Sequence, residues 1–120
     1  MSLTANKVHS ILKELFPANP HRRVFPEHYV SYKGSRLFFD FYIKELDVFI
    51  EVQGRQHVQF VKHFHGTAEN FRNQKMRDNL KIEYVQEKDK CLVRIYDTEK
   101  VTKALVLKKI TKSMESCFYE

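Results

Sequence analysis

Apolar residues near the start of the chain recur at helical spacing: Val8, Ile11, Leu12 and Leu15. A helix gathers all four on one side, so a helix is predicted from about Thr4 to Phe16, stopped by Pro17. Pro17, Pro20 and Pro26 make the next segment read as irregular and extended. The period then shortens to two. His28 to Tyr32 reads as a strand and Lys33-Gly34-Ser35 as a turn. Leu37 to Ile43 and Asp47 to Gln53 read as two further strands. Their short link predicts an antiparallel hairpin. Gly54 ends the third strand, and a polar, His-rich stretch runs to Gly66. Thr67 suits the cap of a long helix from about Ala68 to Gln86. A charged turn, Glu87-Lys88-Asp89-Lys90, leads to a fourth strand from Cys91 to Tyr96. Thr98 is the expected cap of a last helix with Val101, Ala104 and Leu105 as its apolar face. The predicted order is α-β-β-β-α-β-α.

Alternation divides the hairpin into two faces. Phe39, Phe41, Ile43, Val48, Ile50 and Val52 form an apolar face expected on the core. The other face carries Asp40, Tyr42, Phe49, Glu51 and Gln53. A turn centred between Glu45 and Leu46 places Asp40 directly opposite Glu51. Like charges in that position destabilise a strand pair by up to about 1 kcal/mol. A divalent cation reverses the sign, because two carboxylates on one rigid face make a hard oxygen site of the Mg²⁺ type. The alternative is an ordinary solvated outer face, against which Tyr42 and Phe49 argue.

Composition narrows the class. The chain has 120 residues, 42% hydrophobic and 30% charged, so one folded domain spanning 1–120 is expected. Cys91 and Cys117 have no zinc-type spacing and read as reduced thiols of a cytoplasmic protein. Neither a transmembrane run nor a signal-peptide core occurs, so no membrane partner is expected. Three glycines, without a P-loop or GxGxxG string, exclude the common nucleotide-binding enzymes. Lys and Arg number 21 against 15 acids, for a net +6. That sign suits nucleic acid but does not by itself require it.

The spacing Asp40, ten residues, Glu51-Val52-Gln53 resembles the PD-(D/E)xK nuclease signature. Two positions depart from it. Phe39 stands where the family has proline, a residue without a chemical role. Gln53 stands at the lysine position, a change that some restriction enzymes of this fold share. The string Glu51-Val52-Gln53-Gly54-Arg55-Gln56-His57, with Arg77-Asp78-Asn79-Leu80-Lys81 further on, is similar to the Vsr-like branch. That branch holds the very-short-patch repair nucleases and the related EDxHD-type homing endonucleases of phages. The resemblance runs from Glu14 to about Ile95.

It implies a restriction-endonuclease-like αβββαβα core: an α/β fold with a central mixed four-stranded sheet flanked by helices. It also implies a Mg²⁺-dependent DNA endonuclease, with Mn²⁺ as a substitute and double-stranded DNA as substrate. Asp40 then resembles the main metal ligand, with Glu51 and the Val52 carbonyl completing the shell. Glu14 resembles the first-helix glutamate that orders metal-bound water. His57 resembles the catalytic histidine and Asp78 the final aspartate. Phosphodiester hydrolysis needs an activated water, a clamp on the phosphate and a proton for the leaving oxygen; a cation and a near-neutral histidine supply these.

Arg55, Arg72, Lys75, Arg77 and Lys81 are candidate DNA contacts, and Lys81 is a candidate replacement for the missing lysine. Lys100, Lys103, Lys108, Lys109 and Lys112 read as solvating charge. A homodimer would serve double-strand cleavage, and a DNA-targeting domain is expected elsewhere in a longer parent protein. Gln53 also leaves open a DNA-binding module without catalysis. An assembly domain on the same fold is the third reading.

Overall fold

The computed structural model describes residues 1–54 and 67–119. Helix α1 spans Leu3–Leu15, and Ser2 caps it by accepting a hydrogen bond from the Ala5 N–H at 3.1 Å. Its buried side is Ala5, Val8, Ile11 and Leu12. Strand β1, Val24–Tyr32, begins earlier than the prolines suggest. It lies at the edge of the sheet, where the N–H that Pro26 lacks need not cost a ladder bond. Lys33 and Gly34 both take positive φ, 50° and 76°, as a two-residue type I′ turn requires. This turn leads to β2, Ser35–Ile43, antiparallel to β1.

Strand β3, Val48–Gln53, pairs with β2 in the register Ile43↔Val48, Tyr42↔Phe49 and Phe41↔Ile50. The ladder ends at Phe41↔Ile50; beyond it the Asp40 side chain accepts from the Val52 N–H, so the opposition of Asp40 and Glu51 predicted from the sequence is not part of the paired register. Helix α2, Ala68–Glu87, is capped by Thr67, whose hydroxyl oxygen accepts from the Asn70 N–H at 3.0 Å. It leads to β4, Cys91–Tyr96, which runs parallel to β3. Helix α3 spans Lys103–Ser116, followed by β5, Phe118–Tyr119.

The fold is α/β with a mixed sheet, and among the described residues that sheet has five strands in the order β1-β2-β3-β4-β5. The sequence predicts four. The fifth arises because Cys117, at φ 72°, ends α3 in a left-handed turn. Its carbonyl accepts from the Leu92 N–H at 2.8 Å, laying Phe118 and Tyr119 parallel to β4. Two residues carry too little periodicity to be read as a strand. Among the described residues, no helix is long and apolar enough to cross a membrane.

Helices α1 and α3 share one core with the sheet, built from Val8, Leu12, Phe41, Ile43, Ile50 and Ile110 among others. A second core holds Tyr32, Leu37, Phe39, Phe49, Leu92 and Val85 of α2. The sheet is therefore buried on both faces. Phe39 departs from the predicted alternation: its ring packs 4.3 Å from that of Phe49, away from the cluster of Phe41 and Ile43. The β1–β2 ladder passes over Glu27 and Asp40, and Glu27 takes a φ of 51°. Phe39 and Phe41 flank that interruption, where a regular strand face is not maintained.

The last helix corrects the sequence reading twice. Thr102, not Thr98, caps it, accepting from the Leu105 N–H at 3.1 Å. Its buried residues are Val106, Lys109, Ile110 and Ser113, whereas Ala104 is exposed and Leu105 only half-buried. Lys109 is thus a core lysine rather than a solvating one. Its ammonium donates to the Arg94 carbonyl and to Glu99 Oε1, both at 2.7 Å. Those acceptors satisfy a charge that burial alone would make costly.

Candidate functional site

Asp40 and Glu51 lie just past the end of the β2–β3 ladder, close enough for the Asp40 charge to act on Glu51. Asp40 is half-buried, and its Oδ2 accepts from the Val52 N–H at 2.7 Å. That bond anchors the carboxylate to the neighbouring strand. Glu51 is only 4% exposed. Lys81 reaches it from α2, with Nζ 2.8 Å from Glu51 Oε1. The same ammonium lies 5.4 Å from the centre of the Phe39 ring. Among the described residues, each carboxylate therefore has one oxygen in a hydrogen bond and one without.

The electrostatics are strained in a definite direction. Burial pushes the Glu51 carboxyl up to about 8; the Lys81 ammonium pulls it down, while Asp40 and Asp78 add to the rise. Desolvation disfavours the charged form, and one ammonium does not outweigh it with two further carboxylates nearby. Asp78 is buried on α2, and its backbone carbonyl accepts from Arg94 Nη2 at 3.2 Å. Arg94 is the β4 residue in register with Glu51. The fold thus brings Asp40, Glu51, Asp78 and Lys81 into one electrostatic neighbourhood. Among the described residues, no group of three or more His, Cys, Asp or Glu side chains is gathered closely enough to hold a metal ion.

Gln53 ends β3 with its side chain buried, and its Nε2 has no hydrogen-bond partner among the described residues. The main-chain carbonyl of Gln53 accepts from the Asp97 N–H at 3.0 Å. Glu14 is exposed on α1 and forms an ion pair with Lys103 of α3 at 3.2 Å. Arg55 and His57 lie outside the described residues. Arg72 and Arg77 are exposed on α2, whereas Lys75 is half-buried, 5.9 Å from the ring centre of Phe71.

A cavity of about 200 Å³ opens beside the Lys81–Glu51 pair. Lys81, Arg77, Asp78 and Gln74 of α2 line one side, and Arg36 and Phe38 of β2 the other. Sequence reasoning passes over Arg36, Phe38 and Gln74. A signal for two of them is nonetheless there: Arg36 and Phe38 stand four and two residues before Asp40, the same face in an unbroken alternation.

Comparison with known proteins adds little that bears on chemistry. No family profile and no solved structure matches the chain. The chain is similar to uncharacterized protein 307L of Invertebrate iridescent virus 6, with 38% identity over 64 residues. The match takes in 53% of this chain and 32% of the viral protein, so this chain spans about a third of that relative.

Proposed function

We propose that the chain is a Mg²⁺-dependent DNA endonuclease domain that hydrolyses phosphodiester bonds, of the kind found in phage-type homing endonucleases. One observation carries the reading: Asp40 and Glu51 lie near enough at the end of the β2–β3 ladder for their charges to interact, and Lys81 of α2 pairs with Glu51 there. The donor set fits a hard divalent cation, since both side chains are carboxylates with an oxygen left over among the described residues. Asp40 and Glu51, with the Val52 carbonyl, would hold it. Bound there, Mg²⁺ would lower the pKa of a water and polarise the phosphate.

The chain's own residues then have separate tasks. The Val52 N–H keeps Asp40 in one orientation. Lys81, seated on Glu51, offers the positive charge that Gln53 cannot, and so takes the part of the missing family lysine. Arg77 and Arg36 line the adjoining cavity, at a position suited to the negative strand. By resemblance, His57 is the proposed proton carrier.

The test is cleavage of supercoiled plasmid with Mg²⁺ or Mn²⁺, beside an Asp40→Asn variant. Nicked or linear product that disappears in the variant is the expected result. Cleavage without metal, or full activity in the variant, would overturn the proposal. Salt-dependent binding without cleavage in any divalent metal would instead support a catalytically inactive DNA-binding module, the reading that Gln53 favours.

A further inference from the structure

Tyr29 and Phe38 face each other across β1 and β2, their ring centres 5.3 Å apart and their planes tilted by 51°. Tyr29 is 48% exposed and Phe38 54%. A cross-strand aromatic pair steadies a hairpin by itself, so exposure alone would carry little. Two further facts change the picture. Phe38 also lines the cavity beside the Lys81–Glu51 pair. The same cavity is lined by Arg36 and Arg77, and neither forms an ion pair within the described residues. Lys81 is already committed to Glu51. Two guanidinium groups, with one carboxylate, Asp78, on the same wall, thus stand next to an exposed ring whose partner ring extends the surface outward.

That combination has a particular chemical complement. Guanidinium groups call for phosphate, with several donors in a planar fork. Exposed aromatic rings call for a flat partner. A nucleotide supplies both, but only when its base is unpaired, because a base within a duplex already has both faces stacked. Single-strand binding sites are built this way, from a positive groove that follows the phosphates and rings that take the bases. We infer that the Tyr29–Phe38 pair and the Arg36–Arg77 cavity form a subsite for unpaired nucleotides of a nucleic-acid strand. On this inference, which rests on the endonuclease reading for its relevance to cleavage, the preferred substrate carries a single-stranded segment next to the cut site. Phe38 and Tyr29 hold the bases, and Arg36 and Arg77 hold the phosphates.

Binding is measured without divalent metal, by fluorescence anisotropy of a labelled single-stranded DNA, the same sequence as RNA, and its blunt duplex. At least one single strand should bind more tightly than the duplex, and the tighter of DNA and RNA names the strand. Phe38→Ala should weaken single-strand binding roughly ten-fold, with a smaller effect on the duplex. Phe38→Tyr should restore it, which separates stacking from loss of fold. Arg36→Gln and Arg77→Gln should each flatten the slope of log K against log salt by about 0.7. Equal or tighter duplex binding, or Phe38→Ala with unchanged affinity, overturns the inference. The two proposals fail separately. Single-strand binding without cleavage in Mg²⁺ removes the nuclease reading and keeps the subsite. Cleavage of blunt duplex with no single-strand preference does the reverse.

Discussion

Lys81 Nζ lies 2.8 Å from Glu51 Oε1, and the two side chains are 12% and 6% exposed. This pair ties helix α2 to the central strand β3 at the point where the carboxylates meet. Removing one partner of a shielded pair leaves the other charge without compensation, at a cost of roughly 3–5 kcal/mol when the site is fully buried. Because the Glu51 carboxyl is raised to about 8 and is mostly protonated at neutral pH, Lys81→Met should cost clearly less than this in urea unfolding at pH 7, and more as pH rises past 8. The double variant Lys81→Met, Glu51→Gln should recover most of that loss. Lys81→Met as stable as the parent across this pH range would mean the pair contributes nothing to the fold.

Asp40 separates chemistry from structure. Asn at this position keeps an oxygen to accept the Val52 N–H, whereas Ala leaves that donor without its partner. Both substitutions should abolish plasmid cleavage. Only Asp40→Ala should also destabilise, by about 1 kcal/mol. Matching melting temperatures for the Ala and Asn variants would contradict the anchoring role given to Asp40.

Much of this hairpin is legible in the sequence. The link between β2 and β3 is short and the apolar alternation strict, so one register is favoured, and the pairs Tyr42↔Phe49 and Phe41↔Ile50 follow from counting. The faces are less legible, because alternation assumes an unbroken strand and Glu27 breaks it opposite Asp40. The helical cations are harder still. Arg72, Lys75, Arg77 and Lys81 all lie on one long helix, and only the packing of α2 on Phe39 and Phe49 selects Lys81 to meet Glu51. Lys109 fails for a similar reason: its acceptors, Glu99 and the Arg94 carbonyl, come from other segments.

Acid should reveal a different carboxylate. Asp47 accepts from the Tyr42 hydroxyl, and from Lys90 Nζ at 2.9 Å. Hydrogen bonds from Tyr42 and then Lys90 hold its carboxyl below the usual range. A folded pKa below the unfolded one adds stability above the unfolded value, about 4, and that gain is lost as pH falls. Asp47→Asn should be slightly less stable than the parent at neutral pH and equal to it in strong acid. Asn also tolerates the left-handed φ of 54° at this position. A constant gap in urea midpoint across the acid range would refute the assignment.

Phe49 is the centre of the α2-side core. It is 1% exposed, with ring centres of Phe39 at 4.3 Å, Tyr42 at 4.5 Å and Tyr84 at 5.9 Å. Phe49→Ala should cost about 3–5 kcal/mol, and Phe49→Leu clearly less. A loss for Phe49→Ala below about 1 kcal/mol would show that this face is loosely packed.

The sheet order also dictates a sequence of events. Strands β1, β2 and β3 join through consecutive hairpins, whereas β3 meets β4 only after the crossover that carries α2. Close contacts form at lower loop-closure entropy than distant ones, so the hairpins have the kinetic advantage. On this order Asp40 and Glu51 come close before Lys81 reaches Glu51. The nascent hairpin carries its repulsion uncompensated, and neutralising either carboxylate should quicken folding in stopped-flow experiments while leaving the unfolding rate less affected. The arrangement proposed for catalysis would then act as a brake on the folding pathway.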